Sequence, residues 1–140
     1  MSAAEEPVLP SRNLAFATQV VPAAAYAGAI FYAGLIHMGE LPELGFVPTD
    51  KLLHAVVFGG LALLLARAAH WLRPLVSLRK TLLFSAWGAS LLGLFLELCQ
   101  AFVPYRSADG WDWVADTIGA MLASGIAFAV LLWRARRSPG

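Results

Sequence analysis

The sequence predicts an all-α membrane protein: a bundle of four transmembrane helices with both termini on the cytoplasmic side. Three observations carry this expectation. Hydrophobic residues make up 59% of the 140-residue chain and charged residues 14%, against about a quarter charged in globular domains. The mean hydropathy is +0.69, and a soluble core of this size has too little interior for so many apolar side chains. Four apolar stretches are each long enough to cross a hydrocarbon layer of roughly 30 Å, which takes about 20 helical residues. The same composition excludes other classes. Ten Lys and Arg against nine Asp and Glu leave a formal net charge of +1, so there is no basic face for phosphates and nucleic acid is not an expected partner. Cys99 is the only cysteine, which excludes a disulfide framework, a thiol relay and a multi-cysteine zinc site. It reads as a small packed hydrophobe.

The spans run from Leu14 to Met38, Leu52 to Trp71, Leu82 to Phe102 and Val114 to Trp133, within a single domain of residues 1–140. Their apolar runs are continuous, unlike the alternating strands of a membrane barrel. In the first span, Ala23, Ala24 and Ala25 imitate a signal-peptidase site, but Glu5 and Glu6 precede it and the apolar run continues to Ile36. Pro22 is expected to kink an intact helix there. Orientation follows from the basic residues of short connections. Arg67, Arg73, Arg79 and Lys80 surround the second connection, and Arg134, Arg136 and Arg137 close the chain, so both are expected in the cytoplasm. The other connections, with Glu40, Glu43, Asp50 and Lys51 in one and Arg106, Asp109 and Asp112 in the other, are expected outside a bacterial inner membrane. Trp71 and Trp133 fit the inner boundary, and Trp111 and Trp113 the outer one. In the last span Ala115, Gly119, Ala123 and Ala127 form a small-residue stripe, the pattern that lets helices approach closely in lipid. Gly59, Gly60, Ala89 and Gly93 are its candidate counterparts.

Ionisable residues inside a membrane helix cost about 2.5–3.5 kcal/mol each on insertion scales, so they face a bundle interior or a wet cavity. Here they gather at one level. Asp50, Lys51 and His54 share a face at the start of the second span, Glu97 and Gln100 share one near the end of the third, and Asp109, Asp112 and Asp116 follow at helical spacing into the fourth. At 1.5 Å per residue, Glu97 lies roughly 8 Å beneath the outer boundary, and His54 and Asp116 roughly 5–8 Å beneath it. Each group also has a plainer reading. Asp50 and Asp112 suit helix N-caps, Lys51 suits a snorkelling interfacial lysine, and His54 suits a hydrogen-bonded interior histidine. His37 and His70 read as interfacial residues. Glu97, an acid deep in an apolar helix, has the least ordinary setting.

These residues form a pattern. Asp50-Lys51-x-x-His54, Glu97-x-x-Gln100, Pro104-x-Arg106-x-x-Asp109-x-x-Asp112 and a polar residue before Gly119 resemble the VanZ-like family of small bacterial membrane proteins, over roughly Thr49 to Ala127. The family takes its name from a member linked to teicoplanin resistance, and its molecular activity is not settled. The resemblance therefore implies an address and a site more than a reaction. This chain carries Asp116 where the family commonly has Asn, an added carboxylate that favours pairing or cation binding.

Three functions fit the layer. The first is binding or remodelling of a polar, lipid-linked envelope molecule or an amphipathic glycopeptide antibiotic. Arg106 would hold a phosphate or carboxylate, Lys51 would add charge, and Glu97, Gln100 and Asp112 would meet hydroxyls and amides, with Asp50, Asp109 and Asp116 completing the candidate binding set. The second is a membrane-embedded hydrolase or transferase with Glu97, His54 and Asp112 as candidate catalytic groups. His54, Glu97, Asp112 and Asp116 leave a metal open, while no organic cofactor is expected. Ser107, the serine nearest the layer, reads as a turn residue rather than a nucleophile. The third is a structural role, in which the ions lock the helices together or support a homo-oligomer. Membrane lipids are the expected surroundings in each case.

Overall fold

The computed structural model describes residues 12–36 and 49–137. His37, Met38 and the acids Glu5, Glu6, Glu40 and Glu43 lie outside the described residues. The first span is two helices end to end, α1 (Arg12–Gln19) and α2 (Val21–Leu35). Pro22 explains the break, because it offers no N–H to the carbonyl of Thr18 and its ring crowds that turn. The chain yields at Val20, whose N–H still reaches the Phe16 carbonyl at 2.9 Å and whose own carbonyl accepts from Ala23 at 3.1 Å. The expected kinked helix is thus an interrupted one.

The other spans are α3 (Thr49–Leu72), α4 (Leu78–Gln100) and α5 (Gly110–Arg137). All three begin before the expected Leu52, Leu82 and Val114, and α5 continues past Trp133. Apolar residues mark only the stretch suited to hydrocarbon. The helices run on through Lys51, Arg79, Lys80 and Asp112, placing residues expected in connections within first turns. At its far end α4 stops short of Phe102. The N–H groups of Phe102 and Val103 turn back to the carbonyls of Cys99 and Gln100 at 3.1 and 2.9 Å, ahead of Pro104, which disfavours helix in the residue before it.

The helices are built inside out relative to a soluble bundle. Along α4, Phe84, Trp87, Leu91, Phe95 and Leu98 are exposed at three- and four-residue spacing, while Ser85, Ala86, Ala89, Ser90, Gly93, Glu97 and Gln100 are buried. Large apolar residues on the outside are what a hydrocarbon solvent accepts, and small or polar ones inside allow close contact and hydrogen bonding. All four spans, taking α1 and α2 as one, are long and apolar enough to cross a membrane, and no strand occurs among the described residues.

The most extensive interface lies between α3 and α5. It is set by Gly119, where a Cβ would land on the backbone of Ala55, and by Gly59, where one would sit 3.1 Å from the Gly119 carbonyl. The expected stripe is therefore a contact surface and Gly59 is its counterpart. Gly60 is not, because it faces the Tyr26 hydroxyl of α2. Phe58, Leu61, Ala62, Ala86, Ala89, Leu96 and Ala120 fill the centre, with Ile30 reaching in from α2. Arg67 Nε donates to Gln19 at 2.7 Å and Phe16 meets Trp71 edge to face at 5.9 Å, so α1 begins where α3 ends. At the opposite end Lys51 meets Asp112, and Asp109 meets Glu97. The spans thus alternate in direction, and Arg12 and Arg137 lie at the same end of the bundle.

Candidate functional site

The ionisable layer is one connected site at the end of the bundle where α3 and α5 begin and α4 finishes. Lys51, in the first turn of α3, is its ionic hub. Its Nζ lies 2.6 Å from Asp109 Oδ2, 2.6 Å from Asp112 Oδ1 and 3.3 Å from Asp50 Oδ2. Asp109 precedes α5 and caps it, its Oδ1 accepting the Trp111 N–H at 2.9 Å. The cap expected of Asp112 therefore belongs to Asp109, and Asp112 turns inward from the first turn. The Lys51 hydrogen bond, then the one from Trp111, hold the Asp109 carboxyl below the ordinary aspartate range.

One helical turn deeper, His54 Nδ1 lies 2.9 Å from Asp116 Oδ1 and Nε2 lies 3.8 Å from Asp112 Oδ2. An ionised carboxylate can only accept, so with Asp116 ionised the contact places a proton on Nδ1. Nε2 of a neutral ring then carries a free lone pair. Phe58, four residues along the helix, stacks parallel to the imidazole with centroids 6.4 Å apart and helps fix its plane. Asp116 is fully buried, seated where α4 carries Gly93, and a Cβ there would collide with its carboxylate.

Glu97 is 5% exposed. Its Oε2 accepts the backbone N–H of Asp109 at 2.9 Å, while Oε1 is buried with no hydrogen-bond partner among the described residues. Neither Lys51 nor Arg106 pairs with it among the described residues. His54, Glu97 and Asp112 each bring one ligating atom within 4.8 Å of the others, the geometry of a candidate cation site.

Beside this cluster lies a chamber of about 730 Å³, lined by His54, Asp50, Asp109 and Asp112 on one side and by Ile30, Ala33, Gly34 and Leu96 on the other. Gln100, Tyr105 and Arg106 form its third wall. These three also secure α2: Gln100 Nε2 donates to the Gly34 carbonyl at 2.9 Å, Tyr105 to Leu35 at 3.1 Å and Arg106 Nη2 to Ala33 at 3.3 Å. The last-turn carbonyls of a helix lack intrahelical donors, and these side chains supply them. Among the described residues Arg106 has no carboxylate partner and its Nε makes no hydrogen bond.

All nine residues singled out from sequence, Asp50, Lys51, His54, Glu97, Gln100, Arg106, Asp109, Asp112 and Asp116, stand at this one end. Lys51 is committed to carboxylates rather than free to meet a ligand. The contribution of the first span, through Ile30, Ala33 and Gly34, carries no chemical signal in sequence. A second polar group is equally silent there. Thr117 Oγ1 donates to the Trp113 carbonyl at 2.9 Å, so Ser90, 2.7 Å away, donates to Thr117 and accepts the Trp113 indole N–H at 3.2 Å.

Comparison with protein families decides the kinship. Residues 5–133 match the family described as VanZ/LLP1. The chain belongs to the VanZ/LLP1 family. The match covers nearly the whole chain, so the first span belongs to the family unit along with the three that carry the ions. With its four spanning helices, this VanZ/LLP1 member is a multi-pass membrane protein. No curated protein and no solved structure matches it.

Proposed function

We propose that this VanZ/LLP1 protein sits in the bacterial inner membrane with the chamber facing outward and binds the anionic, sugar-bearing headgroup of a lipid-linked envelope molecule. The observation that carries this reading is Arg106: a guanidinium on the chamber wall with no carboxylate partner among the described residues. A planar guanidinium is suited to bidentate contact with phosphate. Asp50, Asp109 and Asp112 across the chamber accept from hydroxyls and amides, and the apolar wall of Ile30 and Leu96 suits the first carbons of a lipid. Basic residues at the opposite end, Arg73, Arg79, Lys80, Arg134, Arg136 and Arg137, support the orientation.

The test uses the full chain in lipid nanodiscs and a fluorescent polyprenyl-phosphate saccharide. Wild type is expected to bind it and Arg106→Ala to weaken binding by about tenfold or more, the scale of one lost charge-assisted hydrogen-bond pair. Equal binding by wild type and Arg106→Ala contradicts the reading.

One observation favours a second reading, acid–base catalysis on the same molecule. Asp116 orients His54 so that Nε2 is the free nitrogen, the arrangement in which an imidazole takes up a proton. Turnover of the same probe that is lost in His54→Gln while binding persists supports catalysis. Loss of thermal stability in these variants without any change in binding or turnover returns the layer to a packing role. Glycopeptide binding and antibiotic resistance belong to the same outward-facing reading, with the antibiotic in place of the envelope lipid.

A further inference from the structure

We infer that His54, Glu97 and Asp112 form a binding site for one divalent first-row metal ion. Their ligating atoms already lie within 4.8 Å of one another. Coordination at the usual 2.0–2.2 Å sets neighbouring ligand atoms about 3–3.6 Å apart, so closing the site takes side-chain movements of about 1 Å.

Two observations independent of the clustering point to a ligand. The first is Glu97 Oε1, an oxygen on a side chain 5% exposed, with no hydrogen-bond partner among the described residues. A buried, unsatisfied carboxylate oxygen is costly and calls for a partner. Its other oxygen is held by the Asp109 N–H, which anchors the carboxylate within the cluster. The second is the support behind His54. Metal-binding histidines commonly donate their second ring N–H to a carboxylate, which fixes the tautomer and makes the ligating nitrogen more basic. Asp116 occupies that place at 2.9 Å from Nδ1, and Gly93 makes room for it.

Charge agrees with this. Five carboxylates, Asp50, Glu97, Asp109, Asp112 and Asp116, share the layer with two fixed cations, Lys51 and Arg106. A dication offsets most of the excess. Asp112 is already divided in the required way, with Oδ1 on Lys51 and Oδ2 turned to His54. One imidazole with two carboxylates suits Zn²⁺ or Mn²⁺ and leaves positions open for water or for a headgroup oxygen from the adjoining chamber. The inference does not depend on the headgroup reading, since the ligands all belong to this chain.

The experiment uses the tag-free full chain in detergent, stripped with chelator and titrated with Co²⁺ as a visible-absorbing probe, then with Zn²⁺ as competitor and Mn²⁺ in parallel. Wild type is expected to bind one equivalent of Co²⁺ with ligand-field bands that Zn²⁺ removes, and to melt at higher temperature with metal present. Glu97→Gln, Asp112→Asn and His54→Ala should each weaken binding at least about tenfold, and Asp116→Asn, which acts through His54, by about tenfold. His70→Ala, at the other end of α3, should bind as wild type. Wild-type protein that melts cooperatively yet takes up no metal overturns the inference. So does binding that survives His54→Ala or disappears in His70→Ala.

Discussion

Replacing Lys51 with methionine leaves Asp109 and Asp112 facing one another across the space its ammonium fills. Removing one partner from a half-buried charged network is expected to lower stability by about 1–3 kcal/mol, read as a lower melting temperature in detergent. Asp109, outside the spans, adds a pH signature. Because the Lys51 hydrogen bond and the Trp111 N–H depress its folded pKa, its stabilisation is complete above the unfolded aspartate value of about 3.9. That stabilisation is lost as pH falls through the lower folded value. Wild type should therefore lose this increment only in acid, and Asp109→Asn should lack that part of the acid-induced drop in melting temperature. An identical acid profile in the variant contradicts the assignment. At this scale the sequence was informative about which residues gather, since Asp50, Lys51 and His54 share a helical face by spacing alone. It did not reveal which oxygen meets which nitrogen, because those choices cross from α3 to α5. Ser90, Thr117 and Trp113 went unread for a related reason: single hydroxyls and indoles are ordinary in membrane helices, and only their meeting makes a network.

Helix contacts carry the site, and glycines set them. Gly119→Ala places a methyl on the Ala55 backbone and must push α3 from α5. A loss at the upper end of about 1–3 kcal/mol is expected, whereas Gly125→Ala, with open space around it, should melt as wild type. Gly93→Ala tests the link from packing to chemistry, since its methyl meets the Asp116 carboxylate and so disturbs the His54 pair without touching a ligating atom. Its fingerprint is a shifted His54 imidazole resonance in a chain that still folds; an unchanged resonance contradicts the link. The apolar runs made the four spans legible. Their ends were less so, because hydropathy reports where lipid begins and not where hydrogen bonding stops. Asp109 rather than Asp112 caps α5, a distinction of one turn that only the Trp111 contact resolves. The interruption at Val20 followed the proline, and the sequence placed the disturbance correctly while underestimating its extent.

Across the whole molecule, alternating spans bring Arg12 and Arg137 to one end and the chamber to the other. In a Cys99→Ala background, Ser107→Cys should react with a membrane-impermeant maleimide in intact cells and Arg136→Cys only after lysis; the reverse pattern contradicts the orientation. The convergence of three polar segments was legible from matching depth, because each insertion penalty is hard to explain alone and easier to explain as part of a shared cavity. The wall that α2 supplies was not legible, since Ile30, Ala33 and Gly34 look like any lipid-facing run. What the chamber holds is decided by native mass spectrometry of the chain released from its own membranes in mild detergent. Wild type is expected to carry one phosphate- and sugar-bearing lipid per chain, an adduct that Arg106→Ala lacks. Bulk phospholipid alone on the wild type, or the same adduct on both proteins, would contradict a headgroup site at Arg106.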